Sequence, residues 1–252
     1  MINLRQLTFT ILLLCTLGCS KTDAPNTEEV KTEIAKTDGN DTNGSETNGS
    51  DTDNDQSIAP ETAKYQLTFN AEWSFATHPN DFPSGPHFSG IIGMTHNADV
   101  QLFKNETSAT QGIKNMSETG GKGALSKEIY AWISEKKAKS LISGAGISRS
   151  PGSVTVEFTI EKSHSRVSVA SMIAPSPDWF IAVRDVELFE KNKWITEKSL
   201  QVGVYDAGTD AGTTFTSPNQ TENKTIQKIT TPPLAVDGKV NSMGTITFKQ
   251  IE

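Results

Sequence analysis

Tyr65-Gln66-Leu67-Thr68-Phe69-Asn70-Ala71-Glu72-Trp73 alternates apolar and polar side chains without a break. Successive side chains of a strand point to opposite faces, so this spacing predicts a strand with one face buried and the other wet. Similar short runs recur at 90–94, 100–103, 153–160, 166–172, 180–188, 194–205 and 245–251, with Gly, Pro, Asn and Asp gathered between them. About eight strands joined by irregular loops predict an all-β chain folded as an antiparallel β-sandwich. One inserted helix is expected. Ser126 can cap it, Glu128 falls in its first turn, Ile129, Trp132, Ile133, Leu141 and Ile142 supply an apolar stripe, and Ser143-Gly144 ends it. Trp132 is read as a core anchor. The polar, Pro-containing stretch 217–240 is read as a long excursion before the last strand.

Upstream of this pattern the chain changes character. In 20–62 eleven acids face three bases, a net charge of −8, and only Ala24, Val30, Ile34, Ala35, Ile58 and Ala59 are apolar. Such a segment cannot bury enough apolar surface to offset the entropy of ordering it. The whole chain carries a formal charge of −7, so the acidity belongs to this segment and the remaining body is near neutral. A general nucleic-acid binder is excluded, because phosphate contacts need clustered Lys and Arg. Apolar residues run long only at the N-terminus, which excludes a polytopic membrane protein.

The first residues read as an export signal. Arg5 is the early cation, 7–17 is an apolar run centred on Ile11-Leu12-Leu13-Leu14, and Thr16-Leu17-Gly18-Cys19 closes it. A small residue before Cys directly after the apolar run resembles the bacterial lipoprotein box, in which the peptide is removed and the new N-terminal Cys is lipidated. The expected organisation is a signal peptide at 1–18, a lipid-anchored acidic tether at 19–62 with lipid on Cys19, and a β-sandwich at 63–252. An ordinary signal peptide that contains a Cys is the alternative. The protein is thus expected to be exported and attached through lipid to a bacterial envelope. Cys15 and Cys19 are the two Cys of the chain, so the body is expected to do without disulfides.

The chain lacks H-E-x-x-H, G-x-S-x-G and G-x-x-x-x-G-K, and its close Gly pairs lack the context of a dinucleotide fold. Asp51-Thr52-Asp53-Asn54-Asp55 opens like a calcium-binding loop, but Gln56 and Thr62 stand where that loop needs Gly and Glu. The Asn-x-Ser/Thr triplets at Asn40, Asn43 and Asn48 are expected by chance in so polar a segment. His78, His87 and His96 lie nine residues apart in T-H-P, P-H-F-S and T-H-N contexts, where imidazoles fix loops by hydrogen bonds; a three-His metal site is the weaker alternative. The carboxylates say more. Pro175-Ser176-Pro177-Asp178-Trp179 and Asp206-Ala207-Gly208-Thr209-Asp210 each follow a predicted strand. Gly208 permits a sharp turn, so Asp206 and Asp210 can face one spot and Asp178 can join them from the preceding loop. Three carboxylates together repel unless a cation neutralises them, and oxygen ligands without His or Cys favour calcium. Taken alone, such a loop is also an ordinary Asp-Gly turn.

In order, Y-Q-L-T-F-N-A-E-W-S, T-H-P-N-D-F-P, H-F-S-G-I-I-G-M-T-H-N, T-Q-G-I-K-N-M-S-E-T-G, M-I-A-P-S-P-D-W-F and Y-D-A-G-T-D-A-G-T-T-F-T-S-P-N resemble the spondin domain of F-spondin and mindin, over 65–219. The resemblance implies an antiparallel sandwich related to synaptotagmin-type calcium domains, a calcium ion at one edge, and roles in matrix attachment and cell recognition. The family's calcium carboxylates, the Asp of P-S-P-D-W and both Asp of D-A-G-T-D, correspond to Asp178, Asp206 and Asp210. Animal members also carry a Cys before the Trp that follows; Phe189-Glu190-Lys191-Asn192-Lys193-Trp194 has none. The expectation is a non-enzymatic, calcium-stabilised binding or adhesion module that contacts an extracellular glycan, matrix or surface protein. The alternatives are a secreted hydrolase using the Asp cluster or the His-bearing loops, and a structural envelope component.

Overall fold

Strand β1 (Thr62–Ala71) carries the alternation into structure: Ala63, Tyr65, Leu67, Phe69 and Ala71 are buried and the residues between them are not. It belongs to a computed structural model that describes residues 58–252. Along the chain follow β2 (His87–Phe88), β3 (Ile92–His96), helices α1 (Gln111–Thr119) and α2 (Gly123–Ser134), β4 (Ala138–Ser143) and β5 (Gly152–Glu161). Next come β6 (Arg166–Ala174), β7 (Trp179–Glu187), β8 (Phe189–Glu190), β9 (Lys193–Trp194), β10 (Glu197–Gln201) and β11 (Gly203–Asp206). The short strands β12 (Gln227–Lys228), β13 (Ala235–Val236) and β14 (Lys239–Val240) precede β15 (Gly244–Gln250).

One sheet runs β10-β15-β1-β5 and the other β12-β11-β7-β6-β3-β4, with β2 added on β6. Neighbouring strands are antiparallel, β1 pairing β15 from Tyr65↔Gln250 to Ala71↔Gly244 and β5 from Thr62↔Glu161 to Ala71↔Gly152. Tyr65, Leu67, Phe69, Phe158, Ile246 and Phe248 of the first sheet meet Val167, Val169, Ile181 and Val183 of the second in a single core. This is the expected antiparallel sandwich.

The second sheet is covered on its other face too. Met94, Ala170, Met172, Phe180 and Ala182 pack beneath Ile113 and Met116 of α1, Leu125 and Ile129 of α2, and Leu102 and Phe103 of the preceding loop. Burial on both sides removes the polar alternation, so β6 is buried at every residue after Arg166. The helical layer corrects the expected single helix. Helix α1 was not foreseen; Thr110 caps it by accepting from Ile113 N, and Gly120 ends it at φ +69°. Helix α2 starts at Gly123 and stops at Ser134, and Leu141 and Ile142 lie on β4 opposite Met94 and Gly93. Ile142 enters the core between the sheets while Leu141 packs toward the helices, the opposite-face placement of strand neighbours. Glu128, expected in the first turn of its own helix, reaches back to accept from Thr110 Oγ1 and Gly112 N, each at 2.7 Å, and so clamps the start of α1. Trp132 is half-buried against the helical layer. Residues 100–103 form a loop and not a strand, buried at Leu102 and Phe103, and 194–205 divides among β9, β10 and β11, which serve different sheets.

Candidate functional site: an acidic edge

Two loops meet at one end of the second sheet. Between β6 and β7, Ser176 Oγ donates to Ile173 O (2.6 Å) and accepts from Trp179 N (3.1 Å), tightening the turn that turns Asp178 inward. Asp178 is fully buried. Its Oδ2 accepts from Thr209 N (2.6 Å), Asp210 N (3.1 Å) and Thr209 Oγ1 (3.2 Å). Its Oδ1 has no partner.

The second loop follows β11. Asp206 Oδ1 accepts from Gly208 N at 2.7 Å, an Asx-type turn. Gly208 sits at φ +71°, and a Cβ there would lie 2.8 Å from the Lys224 carbonyl, so only Gly fits without displacement. Asp210 Oδ1 accepts from Gly212 N (2.9 Å) and Gln220 N (3.2 Å). The chain then returns antiparallel to this loop: Glu222 N donates to Thr209 O at 2.9 Å and Lys224 N to Gly208 O at 2.8 Å.

Burial pushes the Asp178 carboxyl up to about 6, and the Asp206 charge pushes the same way, against the pull of the Thr209 and Asp210 donors. Asp206 is also raised, first by burial, with the Glu222 charge adding to it. The structure thus brings Asp178 and Asp206 into one electrostatic unit and ties Asp210 to it through a backbone N–H, while the Asp210 carboxylate turns to its own loop. Among the described residues no three Asp, Glu, His or Cys side chains close into a ready-made metal cage. The donor set nevertheless suits a hard cation: a buried carboxylate oxygen without a partner, a second carboxylate beside it, and no sulfur or imidazole.

Sequence reasoning missed Glu222 and Lys224. With Asp206, Thr225, Lys228 and Thr231 they line a cavity of about 570 Å³. Both lie in the polar excursion after the Asp loop, and nothing in their local pattern ties them to it; the tie is the long-range backbone pairing. The three His are not brought together. His78 is buried with Nδ1 on Thr77 Oγ1 (2.9 Å), exposed His87 has Nδ1 on Gly85 O (2.8 Å), and buried His96 bonds Asn97 O (2.7 Å) and Ser168 Oγ (2.8 Å). Cys19, the Asp51 to Asp55 run and the Asn triplets lie outside the described residues. Among the described residues no helix is long and apolar enough to cross a membrane.

The acidic edge and the start of the domain occupy opposite ends of β1. At the start, Lys162 Nζ donates to Ala59 O (2.6 Å) and Trp194 Nε1 to Pro60 O (2.9 Å). Beyond the far end, the Trp73 ring lies 5.4 Å from Phe215, which lies 5.3 Å from Trp179, next to Asp178. A ten-residue strand separates the two ends by about 30 Å. Phe75, 66% exposed, joins this far end through Phe82, which packs on Trp73.

A two-sheet antiparallel sandwich with buried carboxylates on loops at one end of its second sheet belongs to the class of β-sandwich modules. Within that class the chain belongs to the Spondin_N family, whose model matches residues 63–237. Spondin-2 of Homo sapiens is 32% identical over 161 residues, which is 62% of this chain and 49% of that protein. Spondin-1 of Gallus gallus is 33% identical over 165 residues, 63% of this chain and 21% of that protein. The chain therefore spans half or less of the length of these relatives.

Proposed function

We propose that this chain is a non-enzymatic adhesion or binding module displayed outside the cell, with one calcium ion stabilising the edge formed by Asp178, Asp206 and Asp210. The observation that carries it is the unpartnered Oδ1 of fully buried Asp178, set beside a second carboxylate. A buried anion in that setting is costly until a cation or a proton neutralises it. Calcium takes about 6–8 oxygens, so backbone carbonyls and water complete the set. Lipid on Cys19 holds the protein to a bacterial envelope, and the chain enters the domain at the end away from the acidic edge. The partner is an extracellular glycan, matrix polymer or surface protein, in keeping with the matrix-attachment role that membership of the spondin family implies.

Thermal melts and calorimetry of the full chain in calcium and in chelator test the metal. At a hundredfold excess over the dissociation constant, calcium adds about 2.7 kcal/mol of stability by mass action. Equal melting temperatures and no heat of binding would remove calcium from the proposal. A screen against glycans and matrix polymers, in calcium and in chelator, tests the binding role.

A further inference from the structure

Resting on the calcium reading above, we infer that the site extends to Glu222 as a further carboxylate donor, with Lys224 as a tethered cation that holds Glu222 until calcium replaces it. Three observations converge. Glu222 sits opposite Thr209 in the backbone pairing, between the positions of Asp206 and Asp210, and shares the cavity lined by Asp206. Its side chain is only 18% exposed, and its partner is the Lys224 ammonium, itself 72% exposed. The buried, unpartnered Asp178 Oδ1 marks the same edge as a place where an electropositive ligand is missing from the protein's own hydrogen bonds.

The logic is one of charge. Asp178, Asp206, Asp210 and Glu222 bring four negative charges to one edge, whereas Lys224 returns one positive charge from a solvated stem. An exposed ammonium is a weak and salt-screened counter-ion. A divalent ion bound among the carboxylates competes for the same Glu222 oxygens, and Lys224 swings to solvent when it wins. The charge count of a calcium site sets its affinity, so removing the Glu222 charge weakens binding and removing the Lys224 charge strengthens it. A Glu that served only to hold Lys224 against the loop would leave calcium affinity unchanged when replaced.

Calcium calorimetry on the full chain, comparing wild type, Glu222→Gln, Glu222→Asp and Lys224→Gln, separates these cases. The expected result is about tenfold weaker binding for Glu222→Gln and partial recovery for Glu222→Asp. Lys224→Gln should bind about threefold tighter in low salt, a gain that shrinks in 0.5 M salt. Chelator melts of each variant establish that it folds. Wild-type binding with unchanged affinity in Glu222→Gln overturns this inference and leaves the three-Asp calcium site standing. No calcium heat in the wild type overturns both.

Discussion

Asp178→Asn exposes the energetics of the acidic edge most directly. In the calcium-free protein the Asp178 carboxyl titrates at about 6 instead of the usual 3.8. The folded state therefore holds a proton that the unfolded chain releases, and stability falls as pH rises through the window from about 4 to about 6. A displacement of about 2 pH units corresponds to about 3 kcal/mol, missing from the calcium-free protein at neutral pH. Asn keeps the shape. Its carbonyl can accept from Thr209 N, Asp210 N and Thr209 Oγ1, and its amide can occupy the position of the unpartnered Oδ1. In chelator at pH 7.5 the variant should melt higher than wild type, by up to about 6–12 °C for a domain of this size. The gap should close as the pH falls toward 4, where wild-type Asp178 is protonated. On the calcium proposal the order should reverse in excess calcium, because the variant lacks one of the proposed charged ligands. Differential scanning calorimetry of both proteins across pH, with and without chelator, reads all of this. A variant that melts below wild type in chelator at pH 7.5 would refute the buried-charge account.

Three further outcomes follow from named contacts. Gly208→Ala forces a side chain into a left-handed backbone position and against the Lys224 carbonyl; chemical denaturation should show a loss of about 2–3 kcal/mol, and a neutral result would show that the two loops move apart freely. Burial lowers the His96 pKa, with the Asn97 carbonyl and the Asp185 charge opposing it. The folded protein therefore resists a proton that the unfolded chain accepts, stability is lost as pH falls through about 6.5 toward the lowered value, and His96→Gln should flatten that acid limb of the melting curve. Cys19→Ala should move the protein from the membrane fraction to the soluble fraction, and full retention in the membrane would exclude lipid at Cys19.

The parts of the fold legible in the sequence were those with one wet face. Strands β1, β5 and β15 expose one side to solvent, so Tyr65, Leu67 and Phe69 announce their face by what lies between them. The second sheet has no wet face under the helices, and β3 is buried throughout. Leu141 and Ile142 could therefore be taken for the end of a helical stripe when they are strand neighbours pointing to opposite layers. Helix α1 is hidden for another reason: Gly112, Asn115 and Ser117 are poor helix formers, and its start is secured by Glu128 from sixteen residues away. At the edge, the D-A-G-T-D turn announced itself through Gly208. The full burial of Asp178 and the approach of Glu222 could not be seen, because both depend on how separate loops stack.

The hydrogen bonds around Asp178 also narrow the ways its charge can be met. All three of its donors go to Oδ2, so the carboxylate is anchored by one oxygen while the other is left empty. A proton on Oδ1 would neutralise the group, and that is the state favoured below about pH 6. At neutral pH most of that proton is gone. Water does not reach the buried oxygen freely, and Asp206, whose charge opposes ionisation, cannot serve as a donor while ionised. A cation that engages Asp178 and Asp206 together would satisfy Oδ1, as the calcium proposal requires. On the proposed calcium reading a proton and a calcium ion would compete for one edge, and each proton released in the accessible pH range would favour the metal. Calcium affinity should rise steeply between about pH 5 and pH 7 and level off above, with proton release detectable as a buffer-dependent heat. Affinity flat across that range would mean that Asp178 is not among the ligands.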